Sequence, residues 1–68
     1  MELSARNQFA GTVKSVKTGT VMAEVVVDIG GNEIVAAITA GSAEKLGLAE
    51  GEQVVVLVKA TEVMVGRE

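Results

Sequence analysis

Apolar and polar positions alternate through residues 20–29, a period of two that predicts a strand with one buried face. The side chains on one face of this segment are all apolar: Val21, Ala23, Val25, Val27 and Ile29. Two glycines follow at positions 30 and 31, and both tolerate the positive φ angles of a tight hairpin. The pattern therefore predicts a hairpin whose returning strand covers about residues 32–38.

Three more segments rich in Val, Ile and Thr predict further strands. They cover residues 5–16, 53–58 and 60–65. Gly11 interrupts the first of them and predicts a bulge or a sharp bend. Five strands in all are expected.

Residues 39–48 do not show the pattern of a strand and instead predict one short helix of about two turns. Thr39 is a suitable N-cap, and Ser42 is an alternative. Gly47 suits the position just after the helix, with Leu48 packing behind it. The order of elements predicts an all-β fold, a small five-stranded OB-fold-like barrel with one short helix between strands 3 and 4. Composition alone does not favour it over another small β-barrel.

Two of the expected strands are apolar on both faces, unlike a half-exposed antiparallel strand. They contain residues 34–38 and 54–58. One interpretation is that the barrel core and the helix cover both faces, and the other is that neighbouring subunits cover the outer face. The chain of 68 residues has no cysteine or histidine for a disulfide or structural zinc. We therefore expect one domain, residues 1–68, assembled as an oligomer.

Composition excludes several classes of function. The net charge of −3 and the single aromatic residue, Phe9, argue against a nucleic-acid or membrane-surface partner. The chain contains no His, Cys or Tyr that could act as a base or a nucleophile. We therefore do not expect an enzyme. The segment from Ser42 to Lys45 matches a Ser-x-x-Lys pattern without its partner motifs. No signal peptide is recognised, and a cytoplasmic protein is the default expectation.

Hydrogen-bond donors occur in three groups, and donors bind anions. The first group lies near the amino terminus, the second at the predicted helix start, and the third between the last two predicted strands. Each has an ordinary interpretation alone, as a terminal surface charge, a helix cap or a solvated strand end. Taken together they predict an oxyanion site formed by Ser4, Arg6, Asn7, Thr39, Ala40, Ser42, Lys59 and Ala60.

The charges of Arg6 and Lys59 match a dianion, which would be costly to bury without compensation. A site with donors and no acceptor disfavours an anion that keeps a proton at neutral pH, as phosphate partly does. Molybdate, tungstate and sulfate are fully deprotonated dianions and therefore suit such a site better. Cavity size would then separate the larger metal oxyanions from sulfate.

The chain resembles a molbindin, a stand-alone Mop domain of the molybdate-binding and tungstate-binding family. The resemblance runs through nearly the whole chain in an ordered series with few additional residues. Its motifs are Ser4-Ala5-Arg6-Asn7, Gly11-Thr12-Val13, Ala23-Glu24-Val25, Ile38-Thr39-Ala40-Gly41-Ser42, Leu46-Gly47-Leu48, Gly51, Lys59-Ala60 and Val63-Met64-Val65.

The resemblance implies a homo-oligomer, a hexamer built as a trimer of dimers, with molybdate or tungstate bound at subunit interfaces. It implies intracellular storage or buffering of the oxyanion, without direct bonds from protein atoms to the metal. The same domain also occurs fused in regulators and transporter ATPases, and 68 residues leave no room for such a second domain. It further implies a second class of site, placed here on Lys17, Gly19 and Val21.

Two other functions are less expected than oxyanion binding. The first is a protein-interaction or assembly module whose two-faced strands build an oligomer that binds no oxyanion. The second is binding of single-stranded nucleic acid by the OB fold, which the acidic composition disfavours most.

Overall fold

The computed structural model describes residues 2–68 and contains one antiparallel sheet. Its strands are β1 (Asn7–Thr18), β2 (Met22–Asp28), β3 (Glu33–Thr39) and β4 (Gln53–Val58). They lie in the order β3-β2-β1-β4, so β3 and β4 are the two edges. One short helix, α1 (Ala40–Lys45), connects β3 to β4. The expectation of a mostly β protein with a helix after the third strand is confirmed.

The long strand β1 curls the sheet into a half-barrel by changing partners along its length. Its first half pairs with β4, from Asn7 opposite Val58 to Thr12 opposite Gln53. Its second half pairs with β2, beginning with Thr12 opposite Asp28. The register shifts at positions 13–15, as a β-bulge does, and bulges bend a strand. The expected irregularity in the first strand is therefore present, shortly after Gly11.

Gly11 lies where β1 passes very close to β2. A Cβ atom at this position would lie 2.6 Å from Cγ1 of Val27 and 2.7 Å from the carbonyl oxygen of Asp28. Both separations are shorter than a carbon atom permits, so the curl of the half-barrel requires glycine here.

The hairpin between β2 and β3 forms at the two predicted glycines. Gly30 and Gly31 have φ angles of 97° and 101°. The side chain of Asp28 accepts hydrogen bonds from both of their N–H groups, at 2.9 and 3.0 Å. These bonds favour the ionised carboxylate and hold the pKa of Asp28 below its ordinary value.

The core lies on the concave face of the sheet and is formed by aliphatic side chains. Val13, Val25 and Val27 are buried against one another, and Ala23 and Ala43 are buried as well. The predicted apolar face of the second strand is confirmed for its members inside β2. Val21 is 69% exposed because it lies before the first residue of β2.

Helix α1 has the predicted cap at each end. Of the two N-cap alternatives the structure has Thr39, whose Oγ1 accepts a hydrogen bond from the N–H of Ser42. At the other end Gly47 has a φ of 63°. The N–H groups of Gly47 and Leu48 donate to the carbonyl groups of Glu44 and Ala43, the pattern of a Schellman motif.

The prediction of a fifth strand over residues 60–65 is wrong for the structure of the single chain. The segment begins instead with a 3-10 helix, Ala60–Glu62, and no strand is formed between residues 59 and 68. After β4 the N–H of Glu62 bonds locally to the carbonyl oxygen of Lys59 and not to a neighbouring strand. Met64 and Val65 are both 93% exposed, because no neighbouring strand of this chain covers them. The half-barrel therefore has four strands and stays open.

The outer faces of both edge strands expose apolar side chains, as the two-faced pattern indicated. Val35 of β3 is 63% exposed, and Val55 and Leu57 of β4 are each more than 40% exposed. Within residues 2–68 no helix has the length and apolar character needed to cross a bilayer.

Candidate functional site

Two of the three predicted donor groups meet at one end of the sheet. Because Asn7 pairs with Val58, the residues just before β1 lie beside the residues just after β4. They form a cleft of about 320 Å³, which we call the terminal cleft. Its lining consists of Ser4, Ala5, Arg6, Lys59, Ala60 and Thr61. Four residues predicted from the sequence to share a site therefore lie around one cleft.

The terminal cleft is rich in donors and carries two positive charges. Arg6 and Lys59 line it together, and no carboxylate is among its lining residues. In the part of the chain from residue 2 to residue 68, the ion pair that forms is Lys14 with Glu33, so neither cation of the cleft is paired with a carboxylate. Uncompensated cations and hydroxyl donors together attract an anion.

The backbone after β4 adds donors to the same cleft. The hydrogen bonds that close the 3-10 helix use the N–H groups of Glu62 and Val63. Those of Ala60 and Thr61 have no partner among residues 2–68. Thr61 was missed by sequence reasoning, and its only signal was that it follows Lys59-Ala60.

The remaining predicted group, the one at the helix start, lies elsewhere, at the beginning of α1. Thr39 is the last residue of β3, on the opposite edge of the sheet from β4, and neither it nor Ser42 lines the terminal cleft. The Thr39 hydroxyl donates to the Ser42 hydroxyl at 2.7 Å. A single chain does not bring all three groups together.

The first amide groups of a helix have no partner within the helix, but two of the three at residues 40–42 are bonded elsewhere in the chain. The N–H of Ala40 donates to the carbonyl oxygen of Val21 at 2.7 Å, and that of Ser42 donates to Thr39. The β2–β3 pairing brings Val21 beside Ala40, and the cap satisfies Ser42. The N–H of Gly41, by contrast, has no partner among residues 2–68.

A second cleft, of about 520 Å³, lies beside the helix start, and we call it the helix cleft. Gly19 lines it, whereas Lys17 and Val21, the other two residues assigned to a second site, do not. The carboxylate of Glu44 also lines this cleft and repels an anion. The helix cleft of one chain therefore lacks the charge that a dianion requires.

Asn7 does not line the terminal cleft but borders it. Its side chain is half-buried and donates from Nδ2 to the carbonyl oxygen of Val58 at 3.1 Å. The carboxamide of the next residue, Gln8, donates from Nε2 to the carbonyl oxygen of Ala5 at 2.7 Å. Sequence reasoning did not single out Gln8, since an exposed glutamine on a strand carries no particular signal.

The cleft at the end of this open half-barrel is thus lined by hydrogen-bond donors and two cations, a lining that suits an anion. Residues 3–65 match the model of the TOBE domain family, and this chain belongs to that family. The resemblance to molbindins is confirmed by comparison with individual proteins. Molybdenum-pterin-binding protein 2 of Clostridium pasteurianum is 48% identical over 66 residues, which are 96% of this chain and 97% of that protein.

Solved structures agree with the sequence comparison. The molybdate-binding protein from Sporomusa ovata has a TM-score of 0.93 at 49% identity, over 98% of this chain and 100% of that one. The cytoplasmic molybdate-binding protein ModG, solved with molybdate bound, has a TM-score of 0.85 at 49% identity. That match covers 88% of this chain and 43% of ModG. The names of these relatives describe binding, in agreement with the expectation that this chain is not an enzyme.

Proposed function

We propose that this chain is a Mop domain that binds molybdate or tungstate at the subunit interfaces of a homo-oligomer and thereby stores or buffers the oxyanion. The observation that carries the proposal is the terminal cleft, where Arg6 and Lys59 meet Ser4 and the free amide of Ala60. The relatives named above, described as molybdenum-pterin-binding or molybdate-binding proteins, support the identity of the anion.

The chemistry of the terminal cleft favours a fully deprotonated dianion. Two cations balance two negative charges, and each oxygen of a tetrahedral anion can accept from a hydroxyl, an amide or a charged donor. An anion that carries a proton would leave its O–H without an acceptor, which lowers its affinity. Phosphate is therefore expected to bind more weakly than molybdate or tungstate.

The location between subunits is supported by the separation of the donor groups. Thr39 and Ser42 lie on the opposite edge of the sheet from Lys59, so they reach a terminal cleft only when they belong to a second copy. The exposed outer faces of β3 and β4 supply apolar surface for such contacts. We infer a hexamer arranged as a trimer of dimers, in which Thr39 and Ser42 of one subunit complete the site of another.

The second class of site is proposed around Gly19, with Lys17 and Val21 nearby. Because Glu44 lines the helix cleft, an oxyanion there needs positive charge from neighbouring subunits. We place the protein in the cytoplasm, where the related ModG is described.

Native mass spectrometry with molybdate, tungstate, sulfate and phosphate in turn tests this proposal, because it reports subunit number and ligand number together. Molybdate and tungstate are expected to add to a hexamer, and phosphate is not. Arg6→Ala and Lys59→Ala should each weaken molybdate binding strongly while circular dichroism shows a folded barrel. Lys45→Ala, which removes a positive charge outside the terminal cleft, is the matched control and should bind as the wild type does.

An assembly module without an oxyanion is the alternative, since Thr39 and Ser42 already satisfy each other as a helix cap. A hexamer that takes up neither metal oxyanion, with no heat of binding in calorimetry, would establish that alternative and refute the proposal.

A further inference from the structure

Two neighbouring carboxamides hold the two halves of the terminal cleft. Gln8 donates to the carbonyl oxygen of Ala5, within the segment that carries Ser4 and Arg6. Asn7 donates across the sheet to the carbonyl oxygen of Val58, which directly precedes Lys59. Each carboxamide therefore bonds to the backbone beside one of the two cations.

Both donor segments need such attachment because neither belongs to the sheet. Residues 2–6 precede β1 and residues 59–68 follow β4, so the strand ladder does not fix them. The pair of Asn7 with Val58 is the last one in the β1–β4 ladder before the cleft. The Asn7 side chain adds a hydrogen bond at that position, and the Gln8 side chain holds Ala5 close to the start of the strand. Together these two bonds limit how far Arg6 and Lys59 can separate.

We propose that Asn7 and Gln8 are positioning residues of the terminal cleft, and this proposal rests on the function proposed above. Gln8 sets the place of Ser4 and Arg6 through Ala5, and Asn7 sets the place of Lys59 and Ala60 through Val58. Neither carboxamide carries charge, and neither lines the cleft. They act by reducing the conformational freedom that the donors would lose when an anion binds.

The chain supplies a matched control for both residues. Gln53 donates from Nε2 to Oγ1 of Thr12 at 2.9 Å, across the same two strands. This bond joins the final β1–β4 pair at the end remote from the terminal cleft. It therefore has the same chemistry and a similar expected effect on stability without a connection to the donor segments.

The test compares Asn7→Leu and Gln8→Met, which keep the approximate side-chain size and remove the donor, with Gln53→Met. Isothermal calorimetry measures the molybdate Kd of each oligomer, and thermal unfolding measures stability. We expect Kd to rise about threefold to tenfold for the first two variants, the effect of one lost hydrogen bond. Gln53→Met should lower Tm by about as much as Asn7→Leu and Gln8→Met do. Its molybdate Kd should stay at the wild-type value. Should Asn7→Leu fail to fold, Asn7→Ala, which also lacks a side-chain donor, replaces it.

Combination variants separate positioning from general loosening of the fold. Any residual affinity of Lys59→Ala should change little when Asn7→Leu is added, because Asn7 acts through Lys59 and its neighbour. Gln8→Met should likewise add little to Arg6→Ala. A wild-type Kd in both single variants, or an equal rise in Gln53→Met, would overturn the positioning role while molybdate binding stands. A wild-type protein that binds no molybdate would refute both proposals.

Discussion

The hydroxyl of Thr39 and the backbone N–H of Ser42 are joined by a hydrogen bond of 3.1 Å, which closes the first turn of α1. The Ser42 hydroxyl is bonded to the same Thr39 oxygen. The two side chains that were expected to face an anion therefore satisfy each other in the single chain. A ligand that binds these hydroxyls must therefore replace the hydrogen bonds of the cap.

Thr39→Val should destabilise the protein by about 1 kcal/mol, because the substitution removes the N-cap acceptor and keeps the β-branched shape. For a domain of this length that corresponds to a fall in Tm of about 4 to 8 °C. Thermal unfolding at one fixed protein concentration measures it. Thr39→Ser keeps the acceptor and should stay close to the wild type; an equal loss in both variants would contradict the capping role.

Gly11→Ala should be destabilising by about 1–3 kcal/mol, the cost of forcing an atom into a packed position. The new methyl group would meet Val27 and the backbone oxygen of Asp28, at 2.6 and 2.7 Å. Urea unfolding gives the free energy of unfolding. Gly66→Ala, where a Cβ meets nothing within 4 Å, is the control and should leave stability unchanged.

The stability of the β2–β3 hairpin should depend on acidic pH through Asp28. Hydrogen bonds from the N–H groups of Gly31 and Gly30 lower the pKa of this carboxyl group in the folded protein. A lowered folded-state pKa stabilises the fold above the unfolded-state pKa, about 3.9 for aspartate, and that contribution is lost as pH falls through the folded value.

Denaturation of wild type and Asp28→Asn at about pH 6 and about pH 3 tests this linkage. Asparagine keeps an acceptor for the glycine N–H groups and does not titrate in this range. The wild type should lose more stability on acidification than Asp28→Asn loses. Equal losses would mean that other carboxyl groups determine the acid sensitivity.

Val35→Glu should break the proposed oligomer and leave the half-barrel folded. Val35 lies on the outer face of β3 and is 63% exposed in the single chain, so the charge becomes costly only when a neighbour covers it. Analytical ultracentrifugation measures the assembly. Ser15→Glu adds the same charge at an exposed strand position with no apolar side chain and should stay oligomeric. An intact hexamer of Val35→Glu would exclude this face from the interface.

The sequence by itself determined most of the local structure and the type of chemistry. The alternation in residues 20–29, the Gly30-Gly31 hairpin and the Thr39 cap depend on neighbouring residues, and all three are found in the structure. The absence of His and Cys and the presence of three donor groups pointed to anion binding before any contact was known. These features were predictable because periodicity and turn chemistry act over a few residues.

Only the tertiary structure decided which donors meet. The Asn7–Val58 hydrogen bond joins residues 51 positions apart and brings Arg6 beside Lys59, and no local pattern encodes that distance. The same sheet order leaves Thr39 on the other edge and residues 60–65 without a strand to pair with. Strand pairing depends on contacts between residues that are distant in the sequence, because it is determined by burial of the whole apolar face. The sequence therefore names the donor groups, and the order of the strands decides which of them share a cleft in the single chain.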